Sequence, residues 1–131
     1  MQTPKPFSSK HLPRPRGPYS QAVKAGGFLF ISGMAALDPE TGQPRMGPIE
    51  EQVKVTLDNL QTLLREAGAS LRQVVKTTVY LADMEHFQAM NEVYATYFPG
   101  NPPARTTIEA ARLPMDFLLE IDAIAWLGES K

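Results

Sequence analysis

The sequence predicts an α+β fold with a ferredoxin-like element order, a single sheet carrying two helices on one face. Three observations carry that expectation. Apolar residues recur at helical spacing in two segments, and Val, Thr and Tyr alternate at strand spacing in others. The 12 prolines of the chain leave the stretch between Ile49 and Phe98 untouched, which is where helices can run without a break. The resulting order is strand, strand, helix, strand, helix, strand, strand.

With 131 residues the chain has room for one core and one domain. Residues 1–16, where Pro4, Pro6, Pro13 and Pro15 stand among Lys, Arg and Ser, read as a flexible extended arm. Residues 17–131 read as the folded domain. Residues 20–25 and 28–32 read as two strands joined at Gly26-Gly27, a hairpin signal. In residues 49–67 the apolar positions Val53, Leu57, Leu60, Leu64 and Ala67 form one helical face. Pro48, Glu50 and Glu51 suit its start; Arg65 suits its last turn and Gly68 its left-handed cap.

Residues 74–81 alternate as a strand, and Asp83 caps a second helix along which Phe87, Met90, Tyr94 and Tyr97 share a face. Residues 104–110 and 117–127 complete the sheet. Right-handed crossovers place both helices on one side of it. In the last strand Phe117, Leu119, Ile121, Ala123 and Ala125 would pack under the helices, yet Leu118, Ile124 and Trp126 on the opposite side are apolar as well. With no helix left to cover that side, an oligomer is expected to supply the lid.

Several function classes are disfavoured. The chain has no cysteine, which excludes disulfides, thiolate metal sites and a cysteine nucleophile. A net charge of −1 with dispersed cations does not suit a nucleic-acid binder. The longest mostly apolar stretch, residues 26–37, falls well short of the roughly 20 residues that span a bilayer. No apolar run follows Lys5 and Lys10, so no secretory signal is readable and the cytoplasm is expected. No phosphate loop, dinucleotide fingerprint, serine-hydrolase elbow or metal-spaced histidine pair occurs. His11 and His86 are isolated and read as surface residues.

Arg105 and Arg112 are the only cations between Lys76 and Lys131. A guanidinium at a strand start, as Arg105 would be, can grip a carboxylate through two parallel hydrogen bonds; a structural ion pair with Glu120 or Asp122 is the plainer alternative. Thr107 shares the strand face of Arg105. Glu120 is an acid on an otherwise apolar strand, a proton shuttle if desolvated and an edge carboxylate if not. Tyr19 and Ser32 offer hydroxyls beside the first hairpin.

Five blocks then carry a resemblance: Gly17-Pro18-Tyr19-Ser20-Gln21-Ala22-Val23, Ile31-Ser32-Gly33, residues 75–81, residues 90–94, and Pro103-Ala104-Arg105-Thr106-Thr107 through Ala111-Arg112-Leu113-Pro114. In order and spacing they resemble the RidA (YjgF) family of reactive-intermediate deaminases. The resemblance implies a chorismate-mutase-like fold assembled as a homotrimer with three intersubunit clefts. It implies hydrolysis of small 2-imino acids and their enamines, such as 2-aminoacrylate, 2-iminopropanoate and 2-iminobutanoate, to 2-oxo acids and ammonia, with no cofactor and no metal.

By position, Arg105 would bind the substrate carboxylate and Glu120 would activate water. Tyr19, Ser32 and Gly33 would line the cleft, with Phe87 and Asn91 nearby. The backbone carbonyl at Thr107, where many members carry cysteine, would help hold the water. Met34 is a second departure, since many members carry glutamine there. An endoribonuclease or translation inhibitor, and a non-catalytic or chaperone-like trimer, are the alternative functions.

Overall fold

In a computed structural model, which describes residues 3–128, eight main elements follow the expected order with one strand added at the front. These are β1 (Lys5–Phe7), β2 (Ala22–Ala25), β3 (Phe28–Met34), α1 (Ile49–Glu66), β4 (Val74–Leu81), α2 (Phe87–Tyr97), β5 (Ala104–Glu109) and β6 (Leu119–Trp126). They build one six-stranded sheet in the order β1-β2-β3-β6-β4-β5. Only the β4–β5 pair is parallel, and α2 forms its crossover. None of the described helices is long and apolar enough to cross a membrane.

The added strand corrects the expectation of a flexible arm with little to bury. Lys5, Pro6 and Phe7 pair with Lys24, Val23 and Ala22 along the free edge of β2, and Leu12 is buried in the main core. Between them the chain is clasped to the end of α1. The Ser9 hydroxyl donates to the Glu66 carboxylate, the Lys10 amide donates to it at 3.0 Å, and His11 Nδ1 lies 3.2 Å from it. Composition reported the prolines correctly; what it does not report is that an edge strand and a helix end are waiting to receive them.

Helix α1 buries more than its apolar stripe. Gln52, Thr56 and Asn59 are buried with Val53, Leu57, Leu60 and Leu64, and each polar side chain is satisfied. The Gln52 amide nitrogen donates to the Gly47 carbonyl at 3.0 Å, and its oxygen accepts from the Leu118 amide at 2.9 Å. The Asn59 amide donates to the Leu37 carbonyl at 2.8 Å. Such bonds are needed because an unpaired amide in this position costs about 1–3 kcal/mol. They also tie the helix to the chain just before Glu120 and just after β3.

The helix ends as its sequence predicts: Gly68 takes φ +80°, its amide bonds Arg65 and that of Ala69 bonds Leu64, a Schellman cap. Asp83 caps a short 3-10 turn, Met84–His86, through the Glu85 amide at 2.9 Å, so α2 itself begins only at Phe87.

The two faces of β6 separate as the alternation predicts. Leu119, Ile121, Ala123 and Ala125 are buried under the helices. On the other face Trp126 and Phe30 are each 45% exposed and Ile108 is 43% exposed, with Phe28 opposite Trp126 and Phe30 opposite Ile124 in the register. Leu118 departs from the expectation, lying just before the strand and packing against the core.

Candidate active site

The expected site residues fall into two groups, and the sheet keeps them apart. The first group surrounds a cavity of about 300 Å³ lined by Tyr19, Ser32, Gly33, Asn59, Phe117 and Glu120 among others. Its geometry starts from a β-bulge. Ile31 pairs with Ala123 and Met34 with Ile121, so Ser32 and Gly33 together oppose the single residue Asp122. A bulge re-aims side chains and is common beside active sites.

Gly33 is the residue this arrangement requires. A Cβ added there would overlap the Glu120 carboxylate, reaching its Cδ at 2.8 Å. The carboxyl of Glu120 thus packs directly against the bulged backbone. Burial pushes its pKa above the ordinary carboxylate value, and the neighbouring Asp122 charge adds to the effect. The Ser32 hydroxyl donates to the Ser20 carbonyl at 2.6 Å, which leaves its oxygen lone pairs as acceptors. Gly33→Ala is expected to fold and to displace the Glu120 carboxylate. A crystal structure of the variant would show Glu120 in another rotamer, and its activity should fall at least tenfold.

The second group gathers around Arg105. Thr77, opposite Arg105 in the β4–β5 register, is fully buried and shares a 2.7 Å hydrogen bond with the Tyr94 hydroxyl. Arg105 therefore points to the helix side of the sheet, at its edge. Its guanidinium carbon lies 4.8 Å from the ring centroid of Tyr94 and 5.7 Å from that of Phe87, and Nη1 is 4.0 Å from the Met90 sulfur. A cation held over two ring faces is restrained in position. Burial raises the Tyr94 pKa, with Thr77 and Arg105 opposing the rise, so the phenol stays neutral beside the cation. Thr107 follows on the same face of β5, opposite Val79, and Asn91 is half-buried on α2.

The resemblance implies clefts between subunits that hold Arg105, Phe87, Thr107 and Asn91 with Glu120, and within one chain the two groups lie apart. Leu119 and Ile121 face the helices, so Glu120 lies on the far side, opposite Tyr80 in the register. The alternative of an Arg105 ion pair with Glu120 or Asp122 is also overturned: neither makes one among the described residues, and Asp122 accepts from the Tyr80 hydroxyl at 2.9 Å. Tyr94 and Met90 share a helical face with Phe87 and bound one of the resemblance blocks in the sequence, which assigns neither a site role. Their helical spacing from Phe87 was the available signal, and the register that brings Arg105 to them was not. Among the described residues no three His, Asp or Glu side chains converge as a metal site.

Comparison with known proteins decides the family. The profile described as Endoribonuclease L-PSP matches residues 9–127, nearly the whole chain. This chain belongs to that family. A RutC family protein of Pyrococcus abyssi is 53% identical over 120 residues, covering 92% of this chain and 94% of its own. The 2-iminobutanoate/2-iminopropanoate deaminase of Mus musculus is 46% identical over 124 residues, covering 95% and 92%. Among solved structures, E. coli TdcF with bound serine superposes with a TM-score of 0.87 at 34% identity, covering 93% of this chain and 98% of that one. The RidA (YjgF) resemblance read from the five sequence blocks and the α+β fold it implied both stand.

Proposed function

We propose that this L-PSP family chain hydrolyses reactive 2-imino acids and their enamine tautomers to 2-oxo acids and ammonia. The observation that carries the reading is Arg105, a guanidinium with no ion-pair partner among the described residues, stacked on Tyr94 and Phe87 at a sheet edge. That geometry suits a planar carboxylate approached through both guanidinium nitrogens. Relatives named as imine deaminases support the choice of reaction.

In the proposed reaction, water adds to the imine carbon to give a carbinolamine. The carbon–nitrogen bond then breaks, ammonia leaves and the carbonyl forms. Glu120 takes a proton from the attacking water and gives it to the imine nitrogen as the carbinolamine forms, then takes the second proton from the carbinolamine hydroxyl and gives it to the amine as the carbon–nitrogen bond breaks. A carboxyl whose pKa is raised toward the operating pH is suited to both steps. Ser32 and Tyr19 border the same cavity as Glu120, and the Thr107 carbonyl, by the family resemblance, would help hold the water once the halves meet. The chain's own residues supply orientation and proton transfer, and the imine carbon supplies the electrophile.

Since one chain holds Arg105 and Glu120 on opposite faces of its sheet, the reaction is assigned to clefts between subunits of a homotrimer. The Arg105 half of one copy would meet the Glu120 half of the next. The uncovered apolar face around Phe30, Ile124 and Trp126 supports assembly, because burying it removes a contiguous patch from water. The proposed compartment is the cytoplasm.

The family description favours a second reading, an endoribonuclease. A net charge of −1 gives such an enzyme little electrostatic hold on a polyanion. The deciding experiment couples a threonine or serine dehydratase to this protein and follows imine lifetime with a trapping amine. The reading predicts faster imine loss and matching ammonia release. An unchanged imine lifetime, with salt-sensitive RNA cleavage by nuclease-free protein, would reverse the choice.

A further inference from the structure

At about 300 Å³ the cavity that Glu120 lines is larger than a three- or four-carbon imino acid needs, and two cations line it with Glu120. Arg14 and Arg16 both line it, beside Met34, Met115 and Phe117. The Arg16 guanidinium is already engaged, donating to the Gly42 carbonyl and lying 3.3 Å from the Met115 sulfur. Arg14 has no hydrogen-bond or ion-pair partner among the described residues.

Its backbone, by contrast, is held tightly. Pro13 and Pro15 flank it and limit its conformations. The Pro13 carbonyl accepts from the Gln21 amide at 2.9 Å, and the oxygen of that amide accepts from the Ser9 amide. Leu12 is buried on one side, and Ser9 and Lys10 are clasped by Glu66. With the backbone fixed, binding need order only the exposed Arg14 side chain and not the strap that carries it.

We propose that Arg14, backed by Arg16, receives the distal carboxylate of acidic 2-imino acids, which makes the imines of glutamate and aspartate favoured substrates. The inference rests on the imine-hydrolysing reading above. In the assembled cleft the α-carboxylate goes to Arg105 of the neighbouring copy, so the second carboxylate is left to face the strap. Two cations against the single acid Glu120 give the cavity the sign such a dianion requires. A substrate of equal length without the terminal charge meets the same Met and Phe side chains and gains nothing from Arg14.

The test compares imines generated in situ by amino-acid oxidases from glutamate and from methionine, which match closely in length and differ in charge. The kcat/KM ratio of the glutamate imine to the methionine imine should exceed one in the wild type and shrink as salt is added. It should fall about tenfold in Arg14→Gln, be largely kept in Arg14→Lys and fall further in Arg14→Glu. A ratio that stays the same in Arg14→Gln and Arg14→Glu, while both imines are still hydrolysed, overturns the inference and leaves the parent reading intact. If the wild type hydrolyses neither imine, nor that of the four-carbon substrate, the parent reading fails and takes the inference with it.

Discussion

Arg105→Ala is expected to lower kcat/KM for 2-iminobutanoate by about 10²–10³-fold, from the loss of two charge-assisted hydrogen bonds of about 1.5–3 kcal/mol each, partly offset by solvation. The loss should be divided between KM and kcat. A carboxylate no longer clamped binds more weakly, and the imine carbon is also less well aimed at the water. Arg105→Lys separates charge from geometry. It keeps the cation but replaces the planar fork that stacks on Tyr94 and Phe87 with a flexible point charge, and it should recover KM more than kcat. Neither change should unfold the protein, since Arg105 stands on an edge strand and its contacts with Tyr94, Phe87 and the Met90 sulfur are small beside the buried core. Circular dichroism and thermal unfolding check that point before kinetics are compared.

Glu120→Gln should cost about 10²–10⁴-fold in kcat, the range for losing a positioned acid–base group. The pH profile makes the prediction specific. The wild type is expected to lose activity on the acid side as Glu120 takes up its proton. Because burial and then Asp122 raise the Glu120 pKa, that limb should lie above the ordinary carboxylate range. Glu120→Gln removes the limb, and Asp122→Asn moves it to lower pH.

Stability should change in the opposite sense. An acid whose folded pKa is raised stabilises the fold below its unfolded pKa, and that contribution is lost as pH rises through the folded value. At neutral pH the ionised Glu120 therefore opposes folding. Glu120→Gln should raise Tm at pH 7, with the gain shrinking toward about pH 4. A variant that is both less active and less stable at neutral pH would remove Glu120 from this role.

Much of the fold could be read from local pattern. The spacing of Val53, Leu57, Leu60 and Leu64 located α1, Gly68 its end, and Gly26-Gly27 the hairpin whose turn takes positive φ at both glycines. Alternation along β6 separated its buried face from the one left open. What escaped the sequence depends on partners distant in the chain. Residues 5–7 form a strand because β2 has a free edge, and no property of Lys5-Pro6-Phe7 announces it. The bulge at Ser32 and Gly33 exists only relative to β6.

The same holds for the site. Period-two reasoning put Arg105 and Thr107 on one face, but which face follows from the pairing of Thr77 with Arg105 and of Tyr80 with Glu120. Arg105 and Glu120 could be chosen from the sequence as the residues that carry the chemistry. Their separation by the thickness of the sheet could not, and it leaves a cleft between subunits, as the resemblance implies, as the place where the two can meet.

Co-expression of two inactive variants, Arg105→Ala and Glu120→Ala, under distinguishable tags tests that placement. If each cleft takes Arg105 from one subunit and Glu120 from the next, every hybrid trimer contains one intact cleft of three. Three quarters of randomly assembled trimers are hybrid, so the mixture should recover about one quarter of wild-type activity. Hybrids that form, as shown by tandem purification on both tags, yet remain as inactive as either parent would contradict a cleft shared between subunits.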